Sequence, residues 1–157
     1  MIVFHGSDQE IAFPDVIHSR PRVDFGPGFY VTPLWKQAES WASRFKRTGR
    51  SAIITEYELD DKALTIPRAL RFDAYDEAWL DFVISCRKGK VMGEYDIVMG
   101  GVANDRVFDT IELFFDGLID KVVALQRLQY HQPNYQICIR TQVIIDRYLH
   151  FMGSKTI

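Results

Sequence analysis

Three short segments contain the residues whose types and spacing could do chemistry. They are "FHGS" at residues 4–7, "DFGPGFYVTP" at 24–33 and "YQICIRT" at 135–141. In the second segment a glycine–proline–glycine turn leads straight into Phe29-Tyr30-Val31, which predicts a short strand at a place where a backbone or a ligand comes close. Tyr30 would lie at this site of close approach, or it could be a core tyrosine in a hairpin.

The other two candidates flank predicted strands. His5 follows the apolar run Ile2-Val3-Phe4 and opens a polar turn, so it is either a ligand contact or an ordinary turn residue. Gln136 begins a predicted strand, where its amide can donate or accept a hydrogen bond. The alternative is that Gln136 only starts an edge strand.

The elements that must position these residues follow from hydrophobic periodicity. Thr32 and Pro33 are expected to be the N-cap and first residue of a helix. Strands interleave with helices, and several strands are far apart in sequence, so we expect an α+β fold. The predicted strands are 2–4, 29–31, 51–59, 95–99 and 136–140, and the predicted helices are 33–47, 73–88, 107–115, 119–129 and 141–151.

Composition limits the class of protein. The chain has 157 residues, 47% hydrophobic and 25% charged, with a formal net charge of −2, which predicts one globular domain and argues against a strongly basic nucleic-acid surface. There is no signal-peptide pattern and no apolar run long enough to span a membrane, so we expect a soluble, cytoplasmic protein. Cys86 and Cys138 form no CxxC or metal-type cluster, so we expect buried thiols and no metal site.

The motifs taken together resemble those of the ADP-ribosyltransferase superfamily, on its diphtheria-toxin and poly(ADP-ribose) polymerase side. More closely, "HGS", "DFGPGFYVT", "QAESWA", "VAND" and "QICIRT" are similar to an uncharacterised bacterial domain family within that superfamily. The resemblance runs along nearly the whole chain. It implies a split β-sandwich with surrounding helices, a single domain over residues 1–157, and NAD as the substrate.

The resemblance also implies roles for individual residues. The Gly6 backbone would bind the nicotinamide carboxamide, His5 would bond a ribose hydroxyl, and Tyr30 would stack on nicotinamide. Ser7 and Gly28 would lie against the cofactor as well.

Two further cofactor contacts have alternatives. Trp41 lies eleven residues after Tyr30, a spacing similar to that of a second stacking aromatic in the polymerase relatives, but it also falls on the apolar stripe of its predicted helix. Arg22, with Arg20, could meet the NAD diphosphate. Alternatively, both arginines lie in a solvated loop.

The third catalytic position departs from the family pattern. That position is commonly a glutamate, whereas Gln136 has no charge and cannot act as a general base. A carboxylate could come from elsewhere, and Asp105 in "VANDR" is the best candidate, ahead of Asp109 and Glu112. Asp105 could equally be a helix cap.

Three functions remain open at this point. The first is a toxin-like mono-ADP-ribosyltransferase that modifies an unknown protein or nucleic-acid acceptor and has an antitoxin as a candidate partner. The second is an NAD glycohydrolase, in which water is the acceptor. The third is a catalytically weak or inactive NAD-binding module, which the missing glutamate favours.

Overall fold

The fold is built on two β-sheets. A computed structural model of the chain describes residues 1–90, 92–129, 131 and 134–157, with the backbone but not the side chain of Asp105. The strands are β1 (Ile2–Ser7), β2 (Phe29–Val31), β3 (Ile53–Leu59), β4 (Ala69–Arg71), β5 (Ile97–Gly100), β6 (Gln136–Ile139) and β7 (Leu149–Thr156). The helices are α1 (Trp35–Lys46), α2 (Glu77–Arg87), α3 (Asp105–Phe115), α4 (Lys121–Leu128) and α5 (Gln142–Tyr148), with a 3-10 helix at Asp61–Thr65.

The two sheets differ in topology. Sheet A is antiparallel, in the order β1-β3-β7, and sheet B has the order β2-β6-β5-β4. In sheet B only the β4–β5 pair is parallel. The prediction of an α+β fold is therefore confirmed at the level of two mainly antiparallel sheets with helices around them.

Side chains alternate between the two faces of each strand and so build separate cores. Val3, Tyr57 and Leu59 of sheet A meet Ile97 and Ile137 of sheet B in the core between the sheets. The outer face of sheet A packs against α1, with Ile54, Ala38 and Ala42 in contact. On the outer face of sheet B, Val98 and Cys138 belong to a core shared with α2, α3 and α4. The order of layers is thus helix, sheet, sheet, helices.

Three local predictions were wrong, and in each case tertiary pairing overrides the local signal. His5, Gly6 and Ser7 do not form a turn, because they continue β1 opposite Thr55, Ile54 and Ile53. The predicted helix 141–151 ends at Tyr148, since the following residues pair with β3 as β7.

The start of α1 also differs. Thr32 is not its N-cap, because the helix begins at Trp35 and has Leu34 as an N-cap without a side-chain hydrogen bond. The Thr32 hydroxyl instead accepts from the Leu34 amide at 3.1 Å and donates to the Tyr135 carbonyl at 2.7 Å. Strand β4 and the 3-10 helix were not predicted.

The prediction of two buried thiols is confirmed. Cys86 and Cys138 are both buried and free. Burial raises the pKa of the Cys86 thiol to about 11 and that of the Cys138 thiol to about 12. Within the described part of the chain, no helix is long and apolar enough to cross a bilayer.

Candidate functional site

The candidate site lies where β1 of sheet A pairs briefly with β2 of sheet B, at the point where the two strands then separate. Phe4 and Thr32 exchange both backbone hydrogen bonds, with N···O distances of 2.8 and 2.9 Å. Backbone polar groups alternate in direction along a strand, so the N–H and C=O of Gly6 face the same edge of β1 as those of Phe4. No described backbone group outside sheet A bonds to Gly6. This edge therefore offers one donor and one acceptor beside the point where the strands separate.

His5 connects the two strands at this point. Its Nδ1 lies 2.7 Å from the Tyr30 carbonyl oxygen, and its ring stacks on Phe29 with the centroids 4.6 Å apart. Because a carbonyl oxygen only accepts, Nδ1 carries the proton, and Nε2 of the neutral ring is an acceptor. Burial lowers the pKa of His5, and the positive charge of Arg20 lowers it further. The hydrogen bond to the Tyr30 carbonyl raises it, but by less than burial lowers it. The ring is therefore neutral at pH 7.

The Tyr30 side chain closes the glycine-containing turn. Its hydroxyl donates to the Gly26 carbonyl at 2.6 Å and accepts from the Phe25 amide at 3.1 Å. Burial raises the pKa of this hydroxyl far above its usual value. The ring packs against the core that sheet B shares with the helices. The hydroxyl is thus used within the turn, and only the ring is left for contact with a ligand.

The glycines are explained by protein contacts. Gly26 has a φ of +74°, as the turn requires. A Cβ at Gly6 would lie 2.4 Å from the Ala38 carbonyl oxygen of α1. A Cβ at Gly28 would lie 2.6 Å from Cys138 Sγ. The backbones that approach these two glycines closely are those of α1 and β6.

Gln136 shares a face of sheet B with Tyr30. Tyr30 pairs directly with Cys138, so Gln136, two residues earlier on β6, is its diagonal neighbour. Gln136 is 8% exposed, and its Nε2 donates to Asp24 Oδ2 at 3.1 Å and to the Gly101 carbonyl at 3.3 Å. The fold therefore places His5, Tyr30 and Gln136 on three neighbouring strands, β1, β2 and β6, with the His5 ring on the Phe29 side and the Tyr30 and Gln136 side chains on the opposite face of sheet B.

Asp24 is the carboxylate beside Gln136, and it is not among the site residues predicted from the sequence. Arg87 of α2 donates to Asp24 Oδ1 from Nη2 at 2.6 Å and from Nε at 3.1 Å. The Ala103 amide donates to Oδ2 at 3.0 Å. With the bond from Gln136, the carboxylate has four hydrogen bonds, about the full capacity of its oxygens. Asp24 is therefore saturated and cannot serve as a free general base.

In the sequence, only its position at the start of the glycine turn distinguishes Asp24 from other aspartates. Its partners Arg87 and Ala103 lie 63 and 79 residues further along the chain. Local patterns carry no information on such contacts.

The remaining predicted cofactor contacts are spread around this junction. Ser7 is buried, and its hydroxyl bonds to the Gln9 carbonyl. Arg20 and Arg22 are exposed, and Arg22 has a φ of +59°. Trp41 is 42% exposed, with the Arg44 guanidinium 4.5 Å from its ring centroid. The alternative that Trp41 is a core residue is therefore wrong, and its role towards a cofactor stays a prediction.

The predicted alternative carboxylates lie on α3. Asp105 is its first residue, and its side chain is outside the described part of the structure. The N-cap is Asn104, whose side chain accepts from the Val107 amide at 3.1 Å, so the alternative of Asp105 as a cap is wrong. Asp109 and Glu112 are exposed.

The family of the chain follows from comparison with known proteins. Residues 1–151 match a family described as "Protein of unknown function (DUF3990)". The chain belongs to the DUF3990 family. No match was found among curated proteins or among solved structures. The matched range of the DUF3990 domain contains every candidate site residue from His5 to Gln136, together with Asp24 and Arg87.

Two cavities of the DUF3990 domain lie away from this junction. One, of about 430 Å³, is between the 12–15 segment and α5, and the other, of about 670 Å³, lies along α4. Neither is lined by His5, Tyr30 or Gln136. In the described part of the chain, no group of three His, Cys, Asp or Glu side chains is arranged to hold a metal ion.

Proposed function

We propose that this chain binds NAD at the junction of β1, β2 and β6 and acts as a mono-ADP-ribosyltransferase on a macromolecular acceptor. The single observation that carries the proposal is the arrangement of the three motif residues around the Gly6 edge. His5 bonds to the Tyr30 carbonyl, and Gln136 is the diagonal neighbour of Tyr30. The family resemblance given by the same three motifs predicts this arrangement.

The Gly6 edge fits one end of nicotinamide. A carboxamide has one acceptor oxygen and one donor NH₂ group, which match the N–H and C=O that Gly6 directs away from β3. An aromatic contact with the Tyr30 ring would contribute about 1 kcal/mol beyond the area that it buries.

The protonation state of His5 fits the chemistry of nicotinamide departure. Breaking the nicotinamide–ribose bond develops positive charge on the ribose, as in glycoside cleavage. A neutral His5 adds no charge next to that cation, and its Nε2 can accept a bond from a ribose hydroxyl. The exposed Arg20 and Arg22 are available to the diphosphate on the solvent side.

One observation favours the second candidate, a catalytically weak NAD-binding module. Gln136 brings no charge, and Asp24 beside it uses its oxygens for Arg87, Ala103 and Gln136. A missing preorganised charge near the developing cation costs several kcal/mol of barrier. In a transferase of this kind, the acceptor must already be a good nucleophile.

The test of binding is calorimetric titration with NAD. His5→Asn keeps a donor towards the Tyr30 carbonyl but lacks the Nε2 acceptor, so we expect about tenfold weaker binding than in the wild type. Trp41→Ala tests the second stacking contact. Phe13→Ala is the control, since Phe13 is 93% exposed and lies outside the junction. A wild-type protein that does not bind NAD would overturn the proposal.

The test of catalysis is nicotinamide release from NAD, measured with and without candidate acceptors. Release that requires an acceptor and leaves ADP-ribose attached to it identifies a transferase. Release into water identifies a glycohydrolase. Binding without release under all conditions supports the NAD-binding module. A Gly6 variant is not suitable for these tests, because any side chain there collides with α1.

A further inference from the structure

We propose that Asp24 is a positioning residue that holds the Gln136 carboxamide with Oε1 directed to the ligand, so that the site presents a hydrogen-bond acceptor at this position. The inference rests on the proposed function for the identity of the ligand. The orientation of the amide itself does not depend on that function.

The orientation follows from the partners of Gln136 Nε2. Asp24 Oδ2 and the Gly101 carbonyl oxygen lie 3.1 and 3.3 Å from this nitrogen, and both atoms are acceptors. A flipped amide would place Oε1 against these two oxygens and leave Nε2 without them. Because Gln136 is 8% exposed, water cannot readily replace the lost bonds. The hydrogen-bond network therefore determines which end of the amide faces Asp24.

Asp24 is itself held in place. The Arg87 guanidinium donates two hydrogen bonds to Oδ1, and the Ala103 amide donates one to Oδ2. The same guanidinium lies 4.6 Å from the centroid of the Phe108 ring on α3. Asp24 thus presents a fixed acceptor to Gln136 from a turn that is anchored to α2.

The consequence is that Gln136 can offer a ligand only Oε1. No described residue donates a hydrogen bond to this atom. A ligand hydroxyl that donates to Oε1 is favoured, and a ligand atom that only accepts is disfavoured. As a hydrogen-bond acceptor, the oriented Gln136 amide oxygen thus takes the place of a glutamate oxygen, but it carries no charge.

The arrangement also excludes glutamate at this position. In Gln136→Glu, the oxygen that replaces Nε2 would face Asp24 Oδ2 and the Gly101 carbonyl, so like charges and three acceptors would meet. Introducing the carboxylate should therefore damage the site and not improve it.

The first experiment measures the stability of Gln136→Glu against urea as a function of pH. The carboxyl group introduced by this substitution would have a folded-state pKa above its unfolded value, so the variant should approach the wild type below about pH 4 and lose stability as the pH rises above that value. Gln126→Glu, which changes an exposed glutamine on α4, is the matched control and should show no such loss. A Gln136→Glu variant as stable as the wild type at pH 7.5 would overturn the inference.

A double variant tests whether Asp24 is the cause. In Asp24→Asn/Gln136→Glu, the new asparagine amide can donate to the new carboxylate, so the urea midpoint at pH 7.5 should fall by less than the sum of the two single shifts. Additive shifts would overturn the role of Asp24. If Asp24→Asn alone is too unstable to measure, the pH profile of Gln136→Glu against its Gln126→Glu control still decides.

The second experiment uses NAD and an analogue that lacks the 2′-hydroxyl of the nicotinamide ribose. The wild type should bind the analogue about tenfold more weakly than NAD, and Gln136→Met should bind the two equally. Equal binding by the wild type would overturn the acceptor role. If the wild type binds neither ligand, the proposed function fails, and the pH profile alone then confirms or overturns the orientation of the amide.

Discussion

At the scale of single residues, the histidine and the hydroxyls of the junction are fixed by bonds to the backbone. His5 Nδ1 and the Tyr30 hydroxyl bind carbonyl oxygens, which assigns a single donor role to each group. His5 also loses affinity for a proton because the surrounding protein partly removes its ring from water. The protonation state of His5 therefore depends more on the burial of its ring than on neighbouring charges.

This burial predicts a pH dependence of stability. The folded-state pKa of His5 is lower than its unfolded value of about 6.5, so the unfolded state binds more protons below that pH, and the free energy of unfolding should fall as the pH decreases through that value. His5→Asn removes the titration but keeps a donor, so its loss of stability between pH 7 and 5 should be smaller. The measurement is urea denaturation across this range.

The control for this prediction is His150→Asn, which changes an exposed histidine on β7. It should keep the wild-type profile. If the wild type and His5→Asn had the same pH profile, His5 would not contribute to the loss of stability at acidic pH.

At the scale of elements, two threonines at the starts of helices have opposite environments. The Thr32 hydroxyl, before α1, makes two hydrogen bonds, one to the Leu34 amide and one to the Tyr135 carbonyl. Thr141 is the N-cap of α5 without a capping bond, and its buried Oγ1 has no hydrogen-bond partner among the described residues. One hydroxyl joins α1 to the segment before β6, and the other remains unpaired.

The two threonines provide a matched pair of substitutions that keep the side-chain shape. Thr32→Val should lower the free energy of unfolding by about 1–2 kcal/mol, because it removes the hydrogen bonds of a buried hydroxyl to the Leu34 amide and to the Tyr135 carbonyl, which keeps its bond from Gln37. Thr141→Val should be neutral or stabilising by up to about 1 kcal/mol, since it removes an unpaired buried hydroxyl. Chemical denaturation of both variants measures the difference. Equal destabilisation by the two changes would contradict the assignment.

At the scale of the whole molecule, a largely buried ion pair links the glycine turn to the helical layer. Arg87 Nη2 and Asp24 Oδ1 are 2.6 Å apart, and the two side chains are 17% and 9% exposed. Arg50 and Asp8 form a pair with side chains that are 55% and 32% exposed. A buried charge that loses its partner is far more costly than an exposed one.

Two identical substitutions test this link. Asp24→Asn should lower the free energy of unfolding by about 1–3 kcal/mol, because the partly buried Arg87 guanidinium loses its counter-charge. Asp8→Asn should lower it by less than about 1 kcal/mol. Thermal and urea denaturation measure both effects. If Asp24→Asn proves as mild as Asp8→Asn, the turn does not depend on this ion pair.

The sequence by itself determined which segments form most of the helices and strands. It also determined which residues make up the apolar face of each element. Helix α2, for example, follows directly from the spacing of Trp79, Val83 and Cys86, which are all buried. The short strand Phe29–Val31 follows from the glycine turn before it. These features depend on neighbours a few residues apart, whose interactions local chemistry decides. The candidate residues His5, Tyr30 and Gln136 were singled out because their motifs resemble those of a known family, and their role stays a prediction.

Only the tertiary structure decided which groups these residues meet. The pairing of β7 with β3 replaced the end of a predicted helix, because the outer edge of β3 offers hydrogen bonds to residues nearly a hundred positions later. Asp24, Arg87 and Gln136 meet across separations of 63 and 112 residues. Gly6 is required by the Ala38 backbone of a helix that follows it at a distance in sequence. Contacts of this kind depend on how the layers pack, and no local pattern in the chain encodes them.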